Sequence, residues 1–192
     1  MHLAATAADQ GRITVTREML NVQWEAVSLY PAGYFTRQIP IQASLTIPGG
    51  WRAATALRPT GSDGGRIDYG VVNYEVLQDS PVFAGKYFRT DDLGHGVALN
   101  TVADAPKELE VPAEVLAKHR ALVDQALKLF GARHFDHYDF LHAVTNRMVV
   151  KSGAWAPTGK AAANGWADSA VVTKMKGSKA RIGRLLRRLA AR

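Results

Sequence analysis

The histidines are the first place to look for chemistry. His134-Phe135-Asp136-His137 and His142 lie close together with Asp139, and imidazole with carboxylate is a donor set that zinc takes. A zinc site on a helix needs histidines at i and i+4, so that both rings share one face, with a glutamate after the first as base. His134 and His137 are three apart, and the chain has no His-Glu-x-x-His. Their surroundings read as a turn entering a strand, so a solvated loop with a polar strand start is expected. Nucleophilic chemistry has no better footing. There is no Gly-x-Ser-x-Gly elbow, and Ser80 sits in Asp79-Ser80-Pro81, a turn composition. Gly61-Ser62-Asp63-Gly64-Gly65 lacks the Lys-Ser/Thr and the helix that a phosphate loop requires. Asp91-Asp92 reads as an exposed acidic turn. With no cysteine, thiol catalysis, disulfides, zinc fingers and iron–sulfur clusters are excluded. No catalytic, cofactor-binding or metal-binding residue is therefore assigned in this chain.

The elements that would position such groups fall into two kinds. The first half reads as β. Ile13-Thr14-Val15-Thr16 is a short strand, and Ile39, Ile41, Ala43, Leu45 and Ile47 alternate with Pro40, Gln42, Ser44 and Thr46, the period of a half-buried strand. Pro40 and Pro48 remove ladder donors, which points to an edge or to strand ends. Arg58 to Gly65, with one proline and three glycines, reads as a loop. Lys86–Thr90 and Val97–Val102 read as strands joined by the turn-rich Asp91-Asp92-Leu93-Gly94. The period then changes. Leu116, Val123, Leu127 and Phe130 recur at helical spacing behind Pro112, with Gly131 placed to end the helix. A helix over 112–130 and a strand from Tyr138 through Val144 are expected.

The formal charge of +7 invites a nucleic-acid reading until it is divided along the chain. Lys151 to Arg192 holds ten Lys/Arg and the single acid Asp168. The remainder has 14 basic and 16 acidic residues, so the body is near neutral and nucleic acid is not the expected partner. Lys151–Ala170 is rich in Ala, Gly and Lys without a stable period. Ile182, Leu185, Leu186 and Leu189 among Arg181, Arg184, Arg187 and Arg188 would make a basic amphipathic helix, of a kind that lies on anionic lipid or tracks a phosphate backbone. No run of about 18 apolar residues exists, so no transmembrane segment is expected. The N-terminus has no basic region followed by an apolar stretch, which reads as no signal peptide and, as written, a cytoplasmic chain.

Asp79-Ser-Pro-Val-Phe-Ala-Gly85-Lys-Tyr-Phe-Arg89, Leu129-Phe-Gly131 and Tyr138-Asp-Phe-Leu141 together resemble the glycyl aminopeptidase family of zinc metallopeptidases. The resemblance runs from about Gly11 to Met148. It implies an α+β chain: a partial N-terminal antiparallel β domain over 1–106, then the first helix and strand of a thermolysin-like catalytic domain over 107–148. A divergent basic tail over 149–192, irregular or helical, would follow. In that family a Gly-Leu-Glu-His segment follows the Tyr-Asp-Phe-Leu strand, and a helix bearing His-Glu-x-x-His and a later glutamate hold zinc. Complete members act on peptides and are often exported. None of those residues can be placed on this sequence, so no cofactor is expected here and zinc belongs to the complete members.

The departure after Met148 has a reading in the genetic code. Shifted by one base, the codons of Gly153-Ala-Trp155-Ala-Pro-Thr-Gly159 can spell Gly-Leu-Gly-x-His-Arg, close to the family's Gly-Leu-Glu-His-His-Arg. A frame-shifted tail is thus expected. The chain reads as a truncated aminopeptidase-type metallopeptidase, inactive alone, with completion of the active site by another chain as the enzyme alternative. A β-rich binding module with a basic tail contacting nucleic acid or anionic membrane is the alternative. Truncation would leave the helix and strand facing no partner layer, so Val123, Leu127, Phe140 and Val144 are expected to be partly exposed.

Overall fold

The computed structural model describes residues 13–133, 135–145 and 170–174. The basic stripe beyond Lys174, and nearly all of Lys151–Ala170, lie outside the described residues. In order, the strands are β1 (Ile13–Val15), β2 (Met19–Val22), β3 (Pro40–Ile41), β4 (Ser44–Thr46), β5 (Arg52–Ala54), β6 (Pro59–Asp63), β7 (Arg66–Tyr69) and β8 (Val72–Asn73). A short helix, α1 (Tyr74–Gln78), precedes β9 (Val82–Gly85), β10 (Tyr87–Gly94) and β11 (Val97–Ala103). The long helix α2 (Ala113–Phe130), β12 (Tyr138–Val144) and β13 (Ala170–Lys174) complete the described chain.

These make four sheets, ordered β1-β2-β9-β5, β10-β11-β12-β13, β3-β8 and β4-β7-β6. All pairings are antiparallel except β11 with β12, which is parallel and connected through α2. The architecture is α+β, with an antiparallel β assembly at its N-terminal side. Val22, Trp24, Ala43, Leu57, Tyr69, Tyr74, Leu77 and Val82 form its core. Trp24 Nε1 anchors there by donating to the Ser80 carbonyl at 2.7 Å.

The alternation over Ile39–Ile47 does mark one inward face, because Ala43 and Ile47 are buried while Pro40, Gln42, Ser44 and Thr46 are exposed. It is not one strand. The backbone leaves β8 after Ile41 and joins β7 at Ser44, with the Ala43 carbonyl accepting from Tyr69 N–H between them. Both pieces are sheet edges, as Pro40 and Pro48 demand. The expected loop over Arg58–Gly65 is instead the hairpin β6–β7. Gly64 and Gly65 have φ of 55° and 85°, the backbone of a tight primed turn whose twist matches paired strands. β6 is exposed at every residue, so no apolar face announces it. Asp91–Gly94 is likewise not the turn, since β10 runs through it and the reversal falls at Gly94-His95-Gly96, all at positive φ.

The helix follows its local signals. Pro112 caps α2, and Gly131, left-handed at φ 67°, closes it by donating to the Leu127 carbonyl. Its apolar face does not lack a partner. Leu116 and Val123, with Leu127, pack on Leu93, Val97, Leu99, Tyr138 and Phe140. Val123, Phe140 and Val144 are 6%, 8% and 4% exposed, which overturns the expectation of exposure; of the four residues only Leu127 is partly accessible. The reason is topological. β12 inserts beside β11, α2 covers one face of that sheet, and the other face meets β2, β5 and β9 through Met19, Ala54, Phe83, Val102, Leu141 and Ala143.

Candidate functional site

The alternation of β11 and β12 sorts their polar residues onto two faces. Asn100 and Asp139 share the face that meets the N-terminal β assembly; Thr101 and His142 share the face under α2. On the first face a polar row crosses three elements. Thr90 Oγ1 donates to Asn100 Oδ1 at 2.9 Å, and Asn100 Nδ2 donates to Asp139 Oδ1 at 2.9 Å. His137 Nε2 lies 3.5 Å from Asp139 Oδ2 and donates to the Ala56 carbonyl at 3.1 Å. Burial pushes the Asp139 carboxyl above its ordinary value, while the Asn100 hydrogen bond and the charges of His137 and Arg58 pull it back.

Beneath α2, His142 is 2% exposed, with Nδ1 3.5 Å from Thr101 Oγ1. Burial, and secondarily the neighbouring His119, lowers its pKa to about 4, so the ring is neutral at physiological pH. His119 is itself occupied, donating from Nδ1 to the Val115 carbonyl at 2.8 Å.

The histidine cluster of the sequence is therefore dispersed. His137 and His142 sit on opposite sides of one sheet, and His134 lies outside the described residues. A third imidazole, His95, meets Asp124 at 2.9 Å on the exposed side of the Gly94–Gly96 turn. Among the described residues no three His, Asp or Glu converge as metal ligands. Among the described residues His137 and Asp139 do not make a zinc set, because they face Ala56, Asn100 and each other with no third ligand beside them.

The remaining candidates are structural. Ser80 is buried, with Oγ donating to the Val76 carbonyl at 2.7 Å across the end of α1. Arg89 grips Asp91 Oδ1 through Nε and Nη2, and its Nη1 reaches the Leu109 carbonyl. Asp92 Oδ1 accepts from Gly94 N–H in the adjacent turn. Gly61–Gly65 belongs to the β6–β7 hairpin. Sequence reasoning missed the row from Thr90 to Ala56. Its only local signal was Asn100-Thr101 inside the otherwise apolar Val97–Ala103, since a polar pair in a buried strand needs partners.

No helix among the described residues is long and apolar enough to cross a membrane. No curated protein matches the sequence. Residues 1–86 match the model of the Peptidase M61 N-terminal domain. Among solved structures, the fold is similar to that of an aminopeptidase N family protein from Idiomarina loihiensis, with a TM-score of 0.52 at 17% identity. That similarity covers 66% of this chain but 22% of the other, so the chain spans about a fifth of that protein's length. The family match ends at Lys86, and the sheet carrying β11 and β12 begins at Tyr87. The similarity to the M61 peptidases thus rests on the N-terminal domain, residues 1–86.

Proposed function

We propose that the chain is the N-terminal portion of a zinc-dependent aminopeptidase-type metallopeptidase and is catalytically silent by itself. Residues 1–86 are its β domain. Tyr87 onward opens the unit that carries catalysis in the complete protein, whose substrates are peptides with a free N-terminal glycine. The sheet changes at Lys86/Tyr87, where β9 gives way to β10, and β10 and β11 share a sheet with β12. The observation that carries this reading is the coincidence of the family match with that structural break.

Silence follows from what hydrolysis of this kind demands. The metal must lower the pKa of its water, and a carboxylate must take the proton. The sequence has no His-Glu-x-x-His, and the half-buried contact of His137 with Asp139 joins the sheet to Ala56 and Asn100. The residues after Met148 are a translation out of the family's frame. The coding DNA tests that part: the neighbouring frame should spell Gly-Leu-Glu-His and then His-Glu-x-x-His, and a frame without them rejects it.

The activity test uses the purified full chain, supplemented with zinc and offered a glycyl anilide. The expected result is no release above the buffer rate and metal well below one equivalent. Stoichiometric zinc with liberation of N-terminal glycine would overturn the proposal.

A further inference from the structure

β10 is the long edge strand of the β10-β11-β12-β13 sheet, and among the described residues no strand lies beyond it. The pairing of β11 fixes which of its backbone groups face outward. The Gly96 carbonyl accepts from Tyr138 N–H, and Asp104 N–H donates to the Val144 carbonyl, so both point to β12. Alternation between them turns Leu99, Thr101 and Ala103 the other way, toward Asp91, Arg89 and Tyr87. The N–H and C=O groups of Phe88, Thr90 and Asp92 therefore point away from the sheet. Both ends of the strand agree. Lys86 N–H reaches out to the Glu18 carbonyl, and the Asp92 carbonyl accepts from Arg120 Nε and Nη2. Between these ends the row has no partner among the described residues, and such a row is a template for another strand.

The side chains along β10 decide which strand fits. Thr90 and Asp92 are exposed. Arg89 holds Asp91 Oδ1 through Nε and Nη2 at 3.0 and 2.6 Å, which leaves Asp91 Oδ2 buried without a hydrogen-bond partner. Arg89 and Asp91 flank Thr90 and share one face of the strand. An antiparallel copy of β10 centred on Thr90 sets Arg89 of each strand opposite Asp91 of the other. Opposite charges placed in this way favour pairing. In the same register Phe88, Thr90 and Asp92 all meet outward-facing groups, and the Arg89–Asp91 positions become the closer, non-hydrogen-bonded kind. The strand is thus complementary to itself.

We propose that β10 is a self-association edge, where a second copy of this chain pairs antiparallel about Thr90 and joins the two sheets into one. Phe88 of each copy exchanges main-chain hydrogen bonds with Asp92 of the other, and the two Thr90 residues exchange theirs across the axis. The Asp92 carbonyl has a second lone pair, so its bond from Arg120 can persist. Each Arg89 bridges Asp91 of its own strand and Asp91 of the other, which gives the orphaned Oδ2 a donor. This contact uses only a sheet edge and its charges, so it stands apart from the peptidase reading.

The test is sedimentation of the full chain over a concentration series reaching on the order of 1 mM, the range of weak association. The wild type should pass from monomer to dimer. Thr90→Pro removes an outward N–H where an edge strand tolerates proline, and it should weaken the dimer roughly tenfold or more. Thr90→Ala loses the same side-chain bond to Asn100 but keeps the N–H, and it should dimerise like the wild type. A cysteine cross-link decides the matter independently of how well the proline variant folds. The chain has no cysteine, and across the axis the two Thr90 Cα atoms would lie roughly 5.5 Å apart, within reach of a disulfide. Thr90→Cys should therefore yield a linked dimer on mild oxidation, well ahead of Ser62→Cys on the exposed strand β6. A wild type that stays monomeric throughout the series would overturn the proposal. So would a dimer that a folded Thr90→Pro variant keeps, or a Thr90→Cys chain that links no faster than Ser62→Cys. Amides of Phe88 and Thr90 protected from hydrogen exchange at every dilution would assign the edge to an occupant other than a second copy, and overturn it as well.

Discussion

Lowering the pH should unfold this protein through one residue, His142. The ring is neutral in the folded chain because burial holds its pKa at about 4, against an ordinary value of 6.5. In the unfolded chain the same ring regains water and protonates near its ordinary value. Between pH 6.5 and 4 the unfolded state therefore binds more protons, and stability falls as pH falls. The full separation of pKa values corresponds to about 3 kcal/mol, of which about 2.5 kcal/mol is lost between pH 7.5 and pH 4.5. For a domain of ordinary stability, about 5–15 kcal/mol, that is a large share.

Asp139 works the other way. Its raised carboxyl pKa makes the folded state the better proton acceptor in acid, which favours folding as pH falls. Total stability would mix the two effects, so the measurement must be a difference. Urea unfolding of the wild type and of His142→Leu at several pH values isolates the imidazole, since Asp139 lies on the other face of β12 in both proteins. Whatever offset Leu introduces at pH 7.5, the variant should gain about 2.5 kcal/mol on the wild type by pH 4.5. A difference that stays flat over that range would refute the burial argument. One that moves in the wild type's favour would mean the ring is stabilised as the cation.

Other substitutions probe the packing. Gly85→Val would bring a Cβ to 3.2 Å from both the Glu18 carbonyl and Val102 Cγ1; a loss of about 1–3 kcal/mol or more is expected in denaturant unfolding. Gly65→Ala places its methyl 2.7 Å from the Ile47 carbonyl at a φ of 85° and should lower the melting temperature, whereas Gly61→Ala, which meets nothing within 4 Å, should change it little. Leu141→Ala empties the junction between the two sheets, where a loss of about 2–5 kcal/mol is expected and should expose both sheets to proteolysis together. Ser80→Ala removes the bond to the Val76 carbonyl and should cost about 1 kcal/mol in the same unfolding assay.

What the sequence revealed, and what it withheld, divides by range. α2 is marked locally at both ends and along one face, by Pro112, Gly131 and the spacing of Leu116, Val123 and Leu127, and it forms as read. The inward face of Ile39–Ile47 is equally local. The break within it is not, because it depends on β7 and β8 approaching from residues 66–73. β6 escaped because a strand exposed on both faces has no hydrophobic period to read. The histidines escaped for the same reason of distance. His137 takes its meaning from Ala56, 81 residues away, and His142 from a helix that crosses the sheet above it. Residue types could say that imidazoles and carboxylates were near one another along the chain; only the pleat of β12 says that they face opposite ways.

The same pleat decides how the two halves of the molecule depend on each other. β9 passes through Gly85 and Lys86 almost directly into β10, leaving no linker at the point where the family match ends. Met19, Ala54 and Phe83 from before that point pack against Val102, Leu141 and Ala143 from after it. Cutting the chain at Lys86 would expose this cluster on both pieces, so the N-terminal domain draws part of its core from the sheet that follows. That sheet in turn is completed by β12 and roofed by α2. The region expected to be a frayed opening of a catalytic unit is thus a packed layer in its own right. The scaffold around β12 therefore stands on packing that both halves supply, with α2 on one side of the sheet and β2, β5 and β9 on the other.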